Sequence, residues 1–117
     1  MSNLKRIIVG FVRRFGFKVR GPITHVVAFA IVKGAENDVI NAFRVLANAV
    51  PQVCTFEYGP NTSTEGLNQG CTHLFTLTFA SDEDLQVYLP HRLHDQFKLF
   101  IKTLVTKAVV FDYKASK

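Results

Sequence analysis

The chain is expected to fold as an α+β protein built on one split βαβ sandwich, and three observations lead there. Three segments, at 25–33, 53–58 and 72–79, read as strands, and a fourth strand-like run spans 108–113. Two stretches carry apolar residues at helical spacing, one before each later pair or single strand. The resulting order, strand–helix–strand–strand–helix–strand, is that of a split βαβ unit with a four-stranded antiparallel sheet. At 117 residues, 48% of them apolar, the chain has material for one domain and one core. Eleven Phe and no Trp leave a surplus that fits an apolar pocket or a buried subunit interface.

Gly21-Pro22 breaks the chain, so 1–20 is read as an extension and 21–117 as the domain. From His25 to Lys33, His25, Val27, Phe29 and Ile31 share one strand face, and Val26, Ala28, Ala30 and Val32 share the other. Both faces are apolar, which places this strand in the middle of the sheet. Gly34 ends it, and Asn37 or Asp38 is the expected cap of the first helix. Val39, Ile40, Phe43, Leu46 and Val50 form that helix's apolar stripe, and Pro51 stops it. A strand from Val53 to Tyr58 leads into a polar loop through Gly70, and Thr72 to Phe79 returns as the third strand. Ser81-Asp82-Glu83-Asp84 supplies a hydroxyl cap and negative charge at a helix start. Pro90 cannot continue that helix, so a corner falls between Tyr88 and His91. The next helix carries Leu93, Phe97, Phe100, Ile101 and Leu104, and Ala108 to Tyr113 forms the last strand.

The net charge of +5 is a property of the leader, residues 1–20. Lys5, Arg6, Arg13, Arg14, Lys18 and Arg20 precede Gly21 with no acid among them. Taking these six from fourteen basic residues leaves eight against nine acids, a net −1 for residues 21–117. No basic face interleaved with aromatics survives, which excludes a nucleic-acid-binding domain. In the leader, Leu4, Ile7, Ile8, Phe11, Val12 and Phe15 recur at helical spacing. Such a segment can be an organelle-targeting presequence, can lie on an anionic membrane surface, or can dock on the domain or its dimer partner. Gly10 and Gly16 weaken a free-standing helix and favour docking. Cys54 and Cys71 sit at offset positions of the expected hairpin, too far out of register to bridge. Two unpaired thiols fit a reducing compartment, so the expected location is the cytoplasm, with organelle targeting by the leader as the alternative. No apolar run approaches the ~20 residues that span a bilayer.

The four histidines carry the chemistry. His25 and His73 lie on strands at matching parity, and His91 and His94 open the helix after the Pro90 corner. Histidine titrates near neutral pH, and beside the Tyr88 phenol it can move protons without metal or cofactor. Exposed amides at the helix start disfavour an imidazolium, which keeps His94 a neutral base. It would take an acidic C–H proton flanked by carbonyls while Tyr88 stabilises the oxyanion. Neither an acid nor a Cys lies at ligand spacing with these histidines, so no zinc site is expected. The competing reading is structural: a histidine on an apolar strand is more often a satisfied core residue.

Pro22-Ile23-Thr24-His25-Val26-Val27, Gly59-Pro60-Asn61 through Glu65-Gly66, Gly70-Cys71-Thr72-His73, Tyr88 to His94 and Phe111-Asp112-Tyr113 together resemble the stress-responsive A/B barrel, or Dabb, family across roughly residues 22–114. The resemblance implies a ferredoxin-like protomer whose sheets pair into a homodimeric α/β barrel. It also implies one of two functions. One is a cofactor-independent polyketide cyclase performing an intramolecular aldol condensation on a linear tetraketide thioester, of the olivetolic-acid type. The other is a non-enzymatic, heat-stable stress or antimicrobial protein; a cofactor-free monooxygenase is a weaker third. Under the first, His94 and Tyr88 are catalytic, His25 and His73 orient substrate, and Phe43, Phe75 and Ile40 line the cavity. His91 joins the binding residues, turned away from His94 by helix geometry. Arg92 stands where the family more usually has proline, and Pro90 moves the rigid point one turn earlier. Glu65-Gly66 and Asp112-Tyr113 are read as structural, in loop geometry and in strand-end or interface contacts.

Overall fold

The computed structural model of the protein describes residues 22–116, so the basic leader lies outside the described residues. Its elements run β1 (Ile23–Ile31), α1 (Glu36–Ala49), β2 (Val53–Pro60), β3 (His73–Phe79), α2 (Asp82–Tyr88), α3 (Arg92–Ile101) and β4 (Val105–Lys114). The four strands form one antiparallel sheet in the order β2-β3-β1-β4. This is the ferredoxin-like α+β architecture, with β1 in the centre as its two apolar faces require. The second helical segment of the split βαβ unit is two helices, because Pro90 breaks it.

Residues of β1 at odd positions are buried throughout, and their cross-strand partners in β3 are Phe79, Leu77, Phe75 and His73. The three helices cover this face. Val39, Phe43, Leu46 and Ala47 turn inward from α1, Leu85 and Tyr88 from α2, and Phe97 and Ile101 from α3. Their meeting point is an aromatic knot. The Phe43 ring lies 4.6 Å from Phe97, 4.8 Å from Phe75 and 6.0 Å from Phe29, centroid to centroid. Such pairs add to the burial of large apolar rings.

Several boundaries differ from the sequence reading, each for a local reason. Helix α1 starts at Glu36, before the expected Asn37 or Asp38 cap, with Ala35 at the cap position and no side-chain cap there. The Glu36 carboxylate instead accepts from the Gly34 amide at 2.9 Å. Gly34 has φ 94°, a backbone that favours glycine. Strand β2 runs on through Gly59 and Pro60; it is an edge strand, where proline's missing N–H costs no ladder bond. Strand β4 begins three residues before Ala108, since its polar start also lies on an edge. The Ser81 cap of α2 has the expected form, its hydroxyl accepting from the Asp84 amide at 3.2 Å. Cys54 and Cys71 are both buried, and no disulfide joins them.

Among the described residues, no helix lies on the opposite face of the sheet. Val109, Phe111 and Tyr113 of β4 stand out from it beside Leu74 of β3; Phe111 is 66% exposed and Tyr113 53%. No helix of the described residues is long and apolar enough to cross a membrane.

Candidate active site

The site forms where α2, α3 and the β1–β4 half of the sheet meet. His25 sits on the helix-facing side of β1 at 3% exposure, a buried polar residue in an otherwise apolar core. Directly across the strand pair stands Asp112 of β4, and its carboxylate accepts from His25 Nδ1 at 2.5 Å. With Nδ1 committed to that bond, the neutral ring keeps its lone pair on Nε2. The Tyr88 ring packs edge-on against His25, centroids 5.8 Å apart, and against Phe79 at 5.1 Å. His94, in the first turns of α3, lies 4.7 Å from Tyr88 by the same measure. The corner at Leu89-Pro90 makes this possible: Tyr88 closes one helix and His94 opens the next.

Two polar atoms here are buried without a hydrogen-bond partner, Tyr88 Oη and His94 Nδ1. Buried polar atoms in folded proteins are nearly always paired, so two orphans in adjacent side chains are an open demand. Their two side chains belong to the wall of a cavity of about 220 Å³, which also includes His25, Phe43, Phe97 and Val110, among others. A cavity of about 150 Å³ accepts benzene, so this one accepts about ten non-hydrogen atoms. Burial pushes the Tyr88 phenol well above its usual range and keeps it a proton donor. Burial also lowers the His94 imidazole, aided by the positive charge of Lys98 and, more weakly, by His25. A backbone hydrogen bond at Leu89 and the Asp95 carboxylate act in the opposite direction without prevailing. A neutral base and a neutral acid therefore lie side by side in the wall of one apolar cavity.

Not all of the residues singled out in the sequence gather here. His25, Phe43, Tyr88 and His94 do. His73 shares the helix-facing side with His25 but pairs with Phe29, four residues along β1, or roughly 13 Å away. Its Nδ1 bonds the Thr72 hydroxyl at 2.9 Å, and it lies outside the cavity wall. Phe75 is fully buried in the aromatic knot, and Ile40 packs on the outside of the core. Both also lie outside the cavity wall. His91 is occupied as the cap of α3, its Nδ1 accepting from the Leu93 amide at 3.0 Å. Asp112, which the sequence reading assigned to strand-end or interface contacts, is the orienting partner of His25. The β1–β4 register, which sets this acid opposite the buried histidine, is what gives it that role. Lys98 was likewise missed, one helical turn beyond His94 and on the cavity wall. Among the described residues no three His, Cys, Asp or Glu side chains gather as metal ligands.

The fold and the site together define a class of small ferredoxin-like α+β protomers with a buried His–Tyr–His group beside an apolar cavity. Within that class the chain belongs to the Stress responsive A/B Barrel Domain family, whose profile matches residues 23–115. It is 31% identical over 101 residues to the stress-response A/B barrel domain-containing protein HS1 of Arabidopsis thaliana, covering 83% of this chain and 93% of the relative. It is 25% identical over 87 residues to olivetolic acid cyclase of Cannabis sativa, covering 74% of this chain and 86% of that enzyme. A crystal structure of an Arabidopsis thaliana protein superposes with a TM-score of 0.75 at 29% identity, covering 81% of this chain and 96% of the other. A Thermobifida fusca protein described as dimeric and ferredoxin-like superposes with a TM-score of 0.68 at 15% identity, covering 85% and 96%.

Proposed function

We propose that the cavity under β4 is a cofactor-independent acid–base site for an apolar carbonyl compound. In its specific form it is a polyketide cyclase-like site that closes a linear polyketide thioester by intramolecular aldol condensation. The observation that supports this reading is the pair of unpartnered buried atoms, Tyr88 Oη and His94 Nδ1, carried by neighbouring side chains in the wall of one apolar cavity. His94 Nδ1 takes a proton from a methylene between two carbonyls. The carbanion attacks a second carbonyl carbon of the same chain, forming the ring bond as that C=O π-bond breaks. Tyr88 gives its hydrogen bond, and then its proton, to the new alkoxide. The proton on His94 restores the phenol across the short separation of the two rings. His25, held by Asp112, supplies a fixed polar wall opposite. About ten non-hydrogen atoms fit inside, enough for the ring-forming segment and a short substituent, with the thioester carrier outside.

We also place this protomer in a homodimer. The uncovered sheet face with Val109, Phe111 and Tyr113 is an apolar patch of the kind that marks an interface. The dimeric description of the Thermobifida fusca neighbour agrees with it.

A second reading, a non-enzymatic stress or antimicrobial protein, is favoured by the higher identity to HS1 over more of the chain. Supplying a tetraketide thioester beside its synthase separates the two. The cyclase reading expects a ring-closed product from the wild type, released as the aromatic acid after loss of water and hydrolysis of the thioester by solvent water, and its loss in Tyr88→Phe and His94→Ala. A product profile shared by all three proteins refutes it.

A further inference from the structure

The cavity wall holds one formally charged side chain whose partner is weak. Lys98 lies one turn after His94 on α3, borders the same hollow, and is 59% exposed, which puts it at the mouth. Its ion-pair partner is Asp95, three residues earlier at 3.7 Å, and that carboxylate is 60% exposed. Such exposed pairs within a helix are weak and are readily exchanged for another anion. The other acid nearby, Asp112, is committed to His25. The rest of the wall is largely apolar, with Phe97, Ile101 and Val110, and it also includes the buried Tyr88 ring and His94. One wall therefore combines an exposed cation, hydrocarbon, and a buried phenol beside an imidazole.

We propose that the mouth of this cavity is a carboxylate site, so that the ligand is a small apolar acid bound with its carboxylate on Lys98 and its body against Phe97 and Val110. The inference rests on the reading that the cavity takes a ligand, but not on the condensation itself. It makes Lys98 a specificity-determining residue that separates free acids from neutral ketones or amides of the same shape. The charge that draws the acid also sits near His94, so one residue couples recognition at the opening to the base inside.

The test is a binding measurement on the full chain, by calorimetry or by the ring resonances of Tyr88 and His94. The probes are hydrocinnamate, its amide, and the ketone of equal size, benzylacetone. The acid is expected to bind about fivefold tighter than the amide at low salt, with the preference shrinking as ionic strength rises. Lys98→Met abolishes the preference, Lys98→Glu reverses it, and Asp95→Asn strengthens it by removing the competing carboxylate. Benzylacetone keeps its affinity in all three variants. If benzylacetone binds and the acid shows no preference, or keeps its preference in Lys98→Met, the carboxylate site is refuted while the ligand cavity stands. If none of the three probes binds, both readings fail together. Loss of cyclisation without loss of acid binding refutes the condensation alone.

Discussion

Replacing Tyr88 by Phe should make the protein more stable and less active at once. The ring is fully buried, packed on His25, Phe79 and His94, and a Phe ring keeps that packing. What disappears is a hydroxyl with no hydrogen-bond partner in the protein. A buried unsatisfied polar group costs about 1–3 kcal/mol. The lower end of that range is taken as the conservative figure. A gain of about 1 kcal/mol corresponds to a rise in Tm of about 4–8 °C for a domain of this size. Calorimetry of both proteins at one concentration reads it, since assembly would otherwise shift Tm by mass action. The same change should lower turnover of a polyketide thioester by about 100-fold or more, the usual loss of an oxyanion donor. A fall in Tm would refute the reasoning, because it would mean the hydroxyl bonds something inside the fold.

The same geometry sets four further outcomes. The His94 imidazole is held below its ordinary value, so the acid limb of kcat/KM should lie below about pH 6.5, and Lys98→Met should move it upward. For stability the sign is the same: the unfolded chain protonates His94 first, so stability should fall as pH drops below about 6.5, read by denaturant titration across pH. Asp112→Ala strips the partner from a buried His25 N–H and should cost about 1–3 kcal/mol, with the His25 nitrogen shifts reporting a changed tautomer mixture. Phe111→Asp puts a charge in the middle of the exposed sheet face and should convert the proposed dimer to monomer in sedimentation, with the protomer still folded.

The fold was legible in the sequence because its signals are local and agree: strand alternation, helical stripes, a hydroxyl cap and one interrupting proline. The candidate site was legible only in part. Parity alone put His25 and His73 on one face, but distance along a strand decides a shared cavity, and their strand positions separate them. The Tyr88–His94 neighbourhood could be read from Pro90, since a corner brings flanking side chains together. Asp112 was not recognised, because its role exists only across the β1–β4 ladder, and register between distant strands leaves no mark in either segment alone. His91 illustrates the reverse: imidazole chemistry near a helix start was legible, but its use as a cap depends on backbone angles at one residue.

Strand β4 serves two neighbourhoods at once. On its inner side Asp112 fixes His25 and Val110 closes the cavity; on its outer side Val109, Phe111 and Tyr113 form the uncovered patch. As a strand it has no independent way to hold one side steady while the other is freed. Dilution that separates the subunits should therefore loosen ligand hold as well, and apparent affinity measured at nanomolar protein should be weaker than at micromolar protein.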